Sequence, residues 1–324
     1  MTREERVRAV AALGFTERPA GFLVTVMLHA GVCVGRQYCA YGRITYGQKA
    51  VDFFRSLVAR GHATARPTGT ASGRLFHVHN KRLYRAIGEP DNRHRRPTTL
   101  PRAIERLMIL DAVLADRDAN WLGTEREKVS HFTLVCRVAE RDLPALVFRS
   151  DDGETARYFP DKLPIGVQLE DQTHVFVYLA TKDVPVNFRA FLERHAELFR
   201  ALPRWRVRVL IPLHLGGAVA AYKAAFREQV ASPLRPVVLD ELRWFFHARR
   251  TSVGRDMRLD HAARAFAAPR FRVLYRIWLE HGDTVLDATV SPVLADAVRR
   301  GTGGLECHVL PHRYQNLLPL VGTA

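Results

Sequence analysis

Residues 48–78, QKAVDFFRSLVARGHATARPTGTASGRLFHV, decide the fold of the N-terminal third. Val51, Phe54, Leu57 and Val58 recur at i, i+3, i+6 and i+7, the spacing of a helix with one buried stripe. The pattern stops at Gly61, a residue type that accepts the left-handed turn at a helix end. HATARP (62–67) and RLFHVH (74–79) then alternate as two strands around TGTASG, a turn rich in Gly, Thr and Ser.

Working outward, Pro19 starts an apolar helix, GFLVTVMLHAG, that halts at Gly31. GRQYCAYGRI (35–44) reads as a second short helix, Thr45-Tyr46-Gly47 as a turn, and KRLYRAIG (81–88) as a closing helix. Three helices followed by a hairpin is the order of a winged helix-turn-helix. In that arrangement the third helix enters the major groove and the hairpin flanks the phosphates.

The polar face of the third helix carries Gln48, Asp52, Arg55 and Ser56, with Lys49 and Arg60 at its margins. Gln pairs bidentately with adenine, Arg with guanine, and Asp accepts from cytosine. Lys49, near the helix start, suits a phosphate. Thr45 and Tyr46 fall in the turn facing the backbone, Arg36 and Arg43 come from the second helix, and Arg66 and Arg74 flank the hairpin turn, with His77 on its second strand. Lys81, Arg82, Arg85, Arg93, Arg95 and Arg96 follow at once, and of these Lys81, Arg82, Arg95 and Arg96 join the candidate DNA contacts.

Charge supports the same reading. Residues 1–102 carry 18 Lys+Arg against 6 Asp+Glu, three quarters of the formal +16 of the whole chain. A skew of that size belongs to a surface that meets an anion, here double-stranded DNA. No apolar stretch approaches the roughly 20 residues needed to cross a bilayer. The N-terminus lacks the apolar core of a secretory signal, so the expectation is a cytoplasmic protein with no membrane partner. Cys33, Cys39, Cys136 and Cys307 show no regular spacing and read as reduced thiols. Cys307, His308 and His312 are the nearest approach to a ligand cluster, but no second pair closes a tetrahedral site, and no metal or cofactor is expected.

The sequence divides into a winged helix at 1–88, a basic Pro-rich linker at 89–100, an α/β domain at 101–213 and a helix-rich region at 214–324. The overall class is α/β (α+β). In the middle, PRAIERLMILDAVLADRD (101–118) is an amphipathic helix; HFTLVCRV (131–138), RYFPDKLPIGVQL and HVFVYLAT (174–181) are strand-like. FRAFLERHAELFRAL (188–202) is a helix and WRVRVLIPL (205–213) a strand. The last third predicts helices over GGAVAAYKAAFREQV, DELRWFFHARR and HAARAFAAPRFRVLYRIWLEHG, a strand running into a helix in VLDATVSPVLADAVRR, and a final strand in ECHVLPHRY. Its aromatic payload, including Trp244, Phe245, Phe246 and Trp278, completes the middle core or packs on a second subunit; Arg243, Arg249, Arg250 and Arg255 form a basic cluster around it.

The order of elements from 101 to 213, with Pro160-Asp161 before the apolar strand, resembles the PD-(D/E)xK nuclease-like fold. Joined to an N-terminal winged helix, it is similar to the replication-relaxation family of mobile-element proteins. The resemblance implies a regulator or assembly factor of a prokaryotic mobile element, such as a transcription regulator. Winged-helix proteins commonly bind paired half-sites, so a homodimer is expected. An active nuclease needs carboxylates and a lysine converging on a divalent metal. Asp161 stands where the first would be, but the apolar strand offers Val177, Tyr178, Leu179 and Ala180 where the others belong. The α/β domain is therefore expected to be non-catalytic. The alternative is an Mg- or Mn-dependent DNA endonuclease using Asp161 with Glu170, Asp171 and Lys182. Phosphate-loop, dinucleotide-binding and nucleophile-elbow motifs are missing.

Overall fold

The computed structural model describes residues 1–68, 73–150, 153–251 and 256–317. The chain is a mixed α/β protein: N-terminal helices with a small antiparallel sheet, a central mixed sheet, and a helical C-terminal part. It separates into two compact units, Met1–Thr124 together with the segment from Leu310, and Glu125–Val309.

The first unit opens with α1 (Arg3–Ala11), where Thr2 and Glu5 cap each other's backbone in a capping box. Next, α2 (Glu17–His29) is buried at every position from Ala20 to His29, as befits a helix that is apolar all round. It ends where Gly31 adopts φ +69° and donates to the Val26 carbonyl. β1 (Val32–Val34) leads into α3 (Gly35–Gly42), then α4 (Gln48–Ala59), β2 (Ala63–Pro67) and β3 (Arg74–Val78). The sheet order is β1-β3-β2, antiparallel throughout, with Cys33 opposite Phe76 and Arg66 opposite Leu75. Pro67, which lacks an N–H, sits on the edge strand. Phe54 of α4 stacks on Phe76 at 4.1 Å and meets Tyr38 of α3 edge-on at 5.8 Å, so helix and hairpin share one core.

α5 (Lys81–Ala86), α6 (Leu100–Ala115) and β4 (Ala119–Leu122) complete this unit. The stretch 89–100, read from sequence as an open linker, is a packed part of the unit. His94 is 2% exposed, and its carbonyl meets His77 Nε2 at 3.1 Å. The compact unit therefore extends to Thr124, beyond the expected boundary at 88. The short β1 had no counterpart in the sequence reading, and residues 69–72 of the hairpin turn lie outside the described residues.

The second unit begins with α7 (Glu125–Ser130), which passes into a π-turn at His131–Val135. The first five residues of HFTLVCRV are thus helical, and none of the stretch is a strand. The hydrogen bond from Cys136 N to His131 O, at 3.0 Å, closes the wide turn. A hairpin follows, β5 (Ala145–Ser150) with β6 (Gly153–Tyr158), then β7 (Ile165–Gln168) and β8 (His174–Leu179). α8 (Val186–Arg194) and α9 (Ala196–Ala201) divide the expected single helix, and β9 (Trp205–Ile211) comes next. In this unit the strands lie in the order β10-β9-β8-β7, with β7–β8 antiparallel and the other pairs parallel. β8 is buried at all six positions, which explains its unbroken apolar run. Phe176 packs on Phe199, and Trp205 stacks on Phe199 at 4.5 Å.

α10 (Val219–Val230) packs on this core with Tyr222 and Phe226. α11 (Pro236–Thr251), α12 (Met257–Ala265), α13 (Pro269–His281) and α14 (Thr284–Ala288) build a second cluster around Leu242, Phe246, Leu274 and Trp278. The aromatic payload of the last third thus packs on itself; Arg255 of its basic cluster lies outside the described residues. VLDATVSPVLADAVRR forms α14 and α15 (Val293–Arg299), with no strand, because Thr284–Ala288 winds into a helical turn. β10 (Gly303–Val309) is the last strand; a Cβ at Gly303 would lie 2.5 Å from the Trp205 ring. Among the described residues, no helix is long and apolar enough to cross a membrane.

Candidate nucleic-acid interface

α4 presents a polar face opposite the part of its apolar stripe that enters the core; of the expected buried positions, Val51 is half-buried and Val58 is exposed. Ala50, Phe54 and Leu57 are buried, while Gln48, Lys49, Asp52, Arg55 and Ser56 are exposed. Asp52 Oδ1 accepts from Gln48 Nε2 at 2.7 Å and from Arg55 Nη1 at 2.9 Å. The three candidate base-readers therefore hold one another. An exposed pair three residues apart contributes only about 0.3–0.5 kcal/mol, whereas a bidentate contact to a base is worth roughly 1–3 kcal/mol.

Thr45 and Tyr46 are exposed in the α3–α4 turn. The Tyr46 ring, 62% exposed, lies over Gly35, where a Cβ would come within 2.6 Å of it. Arg43 ends α3 in the left-handed conformation, φ 50°, and its side chain is exposed. Arg66 and Arg74 are exposed beside the hairpin turn; Lys81, Arg82 and Arg96 are exposed as well. An open groove of about 940 Å³ separates α4 from the hairpin, with Val51, Arg55 and Val58 on the helix and Thr68, Gly73 and Arg74 on the hairpin. His312, Arg313 and Tyr314 of the C-terminal segment also line it.

Three expected contacts are engaged elsewhere. Arg36 makes a two-pronged ion pair with Asp111 of α6, at 2.8 and 2.6 Å, and its guanidinium lies over the Tyr314 ring at 5.5 Å. Asp111 also accepts from Gln37 Nε2 at 2.8 Å and from the Tyr314 hydroxyl. Arg36 is thus a structural anchor. Arg95 is half-buried and donates to the Pro90 carbonyl at 3.1 Å. His77 is buried, and burial pushes its imidazole below the usual range. None of the three side chains is presented as the exposed basic residues around them are.

In the second unit the alternative nuclease residues do not converge. Asp161 precedes β7 and pairs with Arg194 at 2.7 Å; Lys182 follows β8. Glu170 and Asp171 occupy the turn that joins these antiparallel strands, at the other end of the hairpin, where Asp171 accepts from Thr173 at 2.7 Å. The six residues of β8 alone separate the two ends by about 20 Å.

The sequence reading missed another group. His131, Cys136 and His174 gather their side chains in the second unit. Burial lowers both imidazoles, His174 to about 4, so both are neutral at pH 7, and burial raises the Cys136 thiol. The signal was a histidine and a cysteine five apart, concealed because a strand places such positions on opposite faces. No family model matches this chain, and no match was found among curated proteins or solved structures.

Proposed function

We propose that this protein binds double-stranded DNA through its N-terminal unit, which acts as a winged helix-turn-helix. One observation carries the proposal: the polar face of α4 stands beside a hairpin bearing Arg66 and Arg74, in the third of the chain that holds most of the net positive charge. The element order α2-β1-α3-α4-β2-β3, with its three-stranded antiparallel sheet, supports this reading. In this mode Gln48, Asp52, Arg55 and Ser56 face base edges. Lys49, Thr45, Tyr46 and Arg43 take the phosphates next to α4, and Arg66 and Arg74 take those under the hairpin. Lys81, Arg82 and Arg96 extend the basic surface.

Two copies reading paired half-sites fit a regulator or assembly factor of a prokaryotic mobile element, similar to the replication-relaxation proteins, acting in the cytoplasm. The second unit would then assemble or position the complex without cutting DNA, because Asp161 is divided from Glu170 and Asp171 by the length of a hairpin. Selection of bound duplexes from a random library tests the proposal. Enrichment of a motif that Arg55→Ala scrambles is expected; no enrichment from a well-folded protein would defeat it.

A further inference from the structure

The second unit brings together three soft or borderline donors from two distant stretches of chain. His131 Nε2 and His174 Nε2 are 2.9 Å apart, and Cys136 Sγ lies 3.4 Å from the first and 3.5 Å from the second. We propose that these three side chains form a binding site for a transition-metal ion, zinc first among them, with the fourth position open to solvent.

The geometry matches that chemistry. Tetrahedral zinc holds nitrogen at about 2.0–2.1 Å and sulfur at about 2.3 Å, so ligand atoms sit about 3.3 Å apart for N···N and about 3.6 Å for N···S. Both sulfur distances already agree, and the imidazoles need only spread by about 0.4 Å. In the metal-free protein the three atoms can hydrogen-bond to one another, with the thiol both donating and accepting. On metal binding the Cys136 proton leaves to solvent as sulfur becomes thiolate, each imidazole keeps its one proton on Nδ1, and all three atoms turn lone pairs toward the ion.

The backbone explains how the donors meet. Positions five apart lie about 140° around an α-helix axis, too far to share an ion. The π-turn that begins at His131 is wound wider, and its i→i+5 hydrogen bond closes on Cys136, so both side chains reach one spot. His174 begins β8, the fully buried strand, which gives the third donor a rigid base. Among the described residues no other group of three His, Cys, Asp or Glu side chains offers such a site. His131 and Cys136 are half-buried, which leaves a side for water. Nitrogen and sulfur donors in this mix select zinc or cobalt over magnesium or calcium.

The test is a cobalt titration of the metal-stripped full chain, followed by absorption. One cobalt per chain is expected, with a thiolate-to-cobalt charge-transfer band in the near ultraviolet and the visible bands of a four-coordinate ion, all displaced by zinc. Cys136→Ser should abolish the charge-transfer band, His174→Gln should lose stoichiometric binding, and Cys307→Ser should change nothing. No band from folded wild-type protein overturns the proposal, as does a band that survives Cys136→Ser or vanishes with Cys307→Ser. Circular dichroism checks folding; should Cys136→Ser not fold, the wild-type and Cys307→Ser spectra decide.

Discussion

Arg36 and Asp111 face each other fork to fork across 75 residues of chain, with Nη1–Oδ1 at 2.8 Å and Nη2–Oδ2 at 2.6 Å. The pair fastens α3, the helix before the proposed recognition helix, to α6. Gln37 and Tyr314 converge on the same carboxylate, so one half-buried acid orders three donors. Asp111→Ala takes the ion-pair partner from Arg36, while Gln37 Nε2 keeps the Leu107 carbonyl at 3.0 Å, and should destabilise the first unit by about 1–2 kcal/mol. Urea denaturation followed by tryptophan fluorescence and circular dichroism measures this. Arg36→Ala should lower stability but leave the salt dependence of DNA binding unchanged, which separates an anchor from a phosphate contact.

Arg55 and Lys49 should behave differently on DNA. Arg55→Ala is expected to narrow the gap between preferred and scrambled duplexes by roughly 1–3 kcal/mol, because a base-reading contact is lost. Lys49→Ala should weaken every duplex alike and reduce the slope of log K against log salt by about one. Competition titrations at several salt concentrations read both effects.

His195 supplies a pH dependence to the second unit. It is buried among Phe176, Phe191 and Phe199, and burial pushes its pKa down to about 4. In the unfolded chain it titrates near 6.5. Between those values the unfolded form holds the extra proton, so stability is complete above about pH 6.5 and falls as the pH drops toward 4. The slope for this one group is at most about 1.4 kcal/mol per pH unit. Urea midpoints from about pH 7.5 to about pH 5, taken with a chelator present, should fall less steeply in His195→Leu than in wild type.

Gly303 sits where β10 meets the face of Trp205. Since a Cβ there would lie 2.5 Å from the ring, Gly303→Ala should push β10 off β9 and cost about 1–3 kcal/mol. Hydrogen exchange should show the β10 amides losing protection before those of β8.

Local periodicity made α4 and its hairpin legible, because a 3.6-residue stripe gives way to alternation within thirty residues. The apolar run of β8 was legible for a related reason: burial on both faces demands it. β1 was not, since three residues carry no period. HFTLVCRV misled because its β-branched and aromatic content suits a strand, while tertiary packing around Phe132 holds it in a π-turn. The same error concealed the His131–Cys136 pairing, and nothing local points to His174. Arg36 looked like a phosphate contact because its partner Asp111 lies beyond the expected domain boundary. The exposed residues of α4 and the hairpin were readable as candidates; which basic residues are spent inside the fold was not.

Fluorescence anisotropy of a labelled duplex, titrated with the full chain across a salt series, tests DNA recognition by the first unit most directly. Wild type should bind with an affinity that falls steeply as salt rises, and Lys49→Ala and Arg66→Ala should each flatten that slope. Absence of binding at low salt, or binding that none of Lys49→Ala, Arg55→Ala and Arg66→Ala alters, would contradict it.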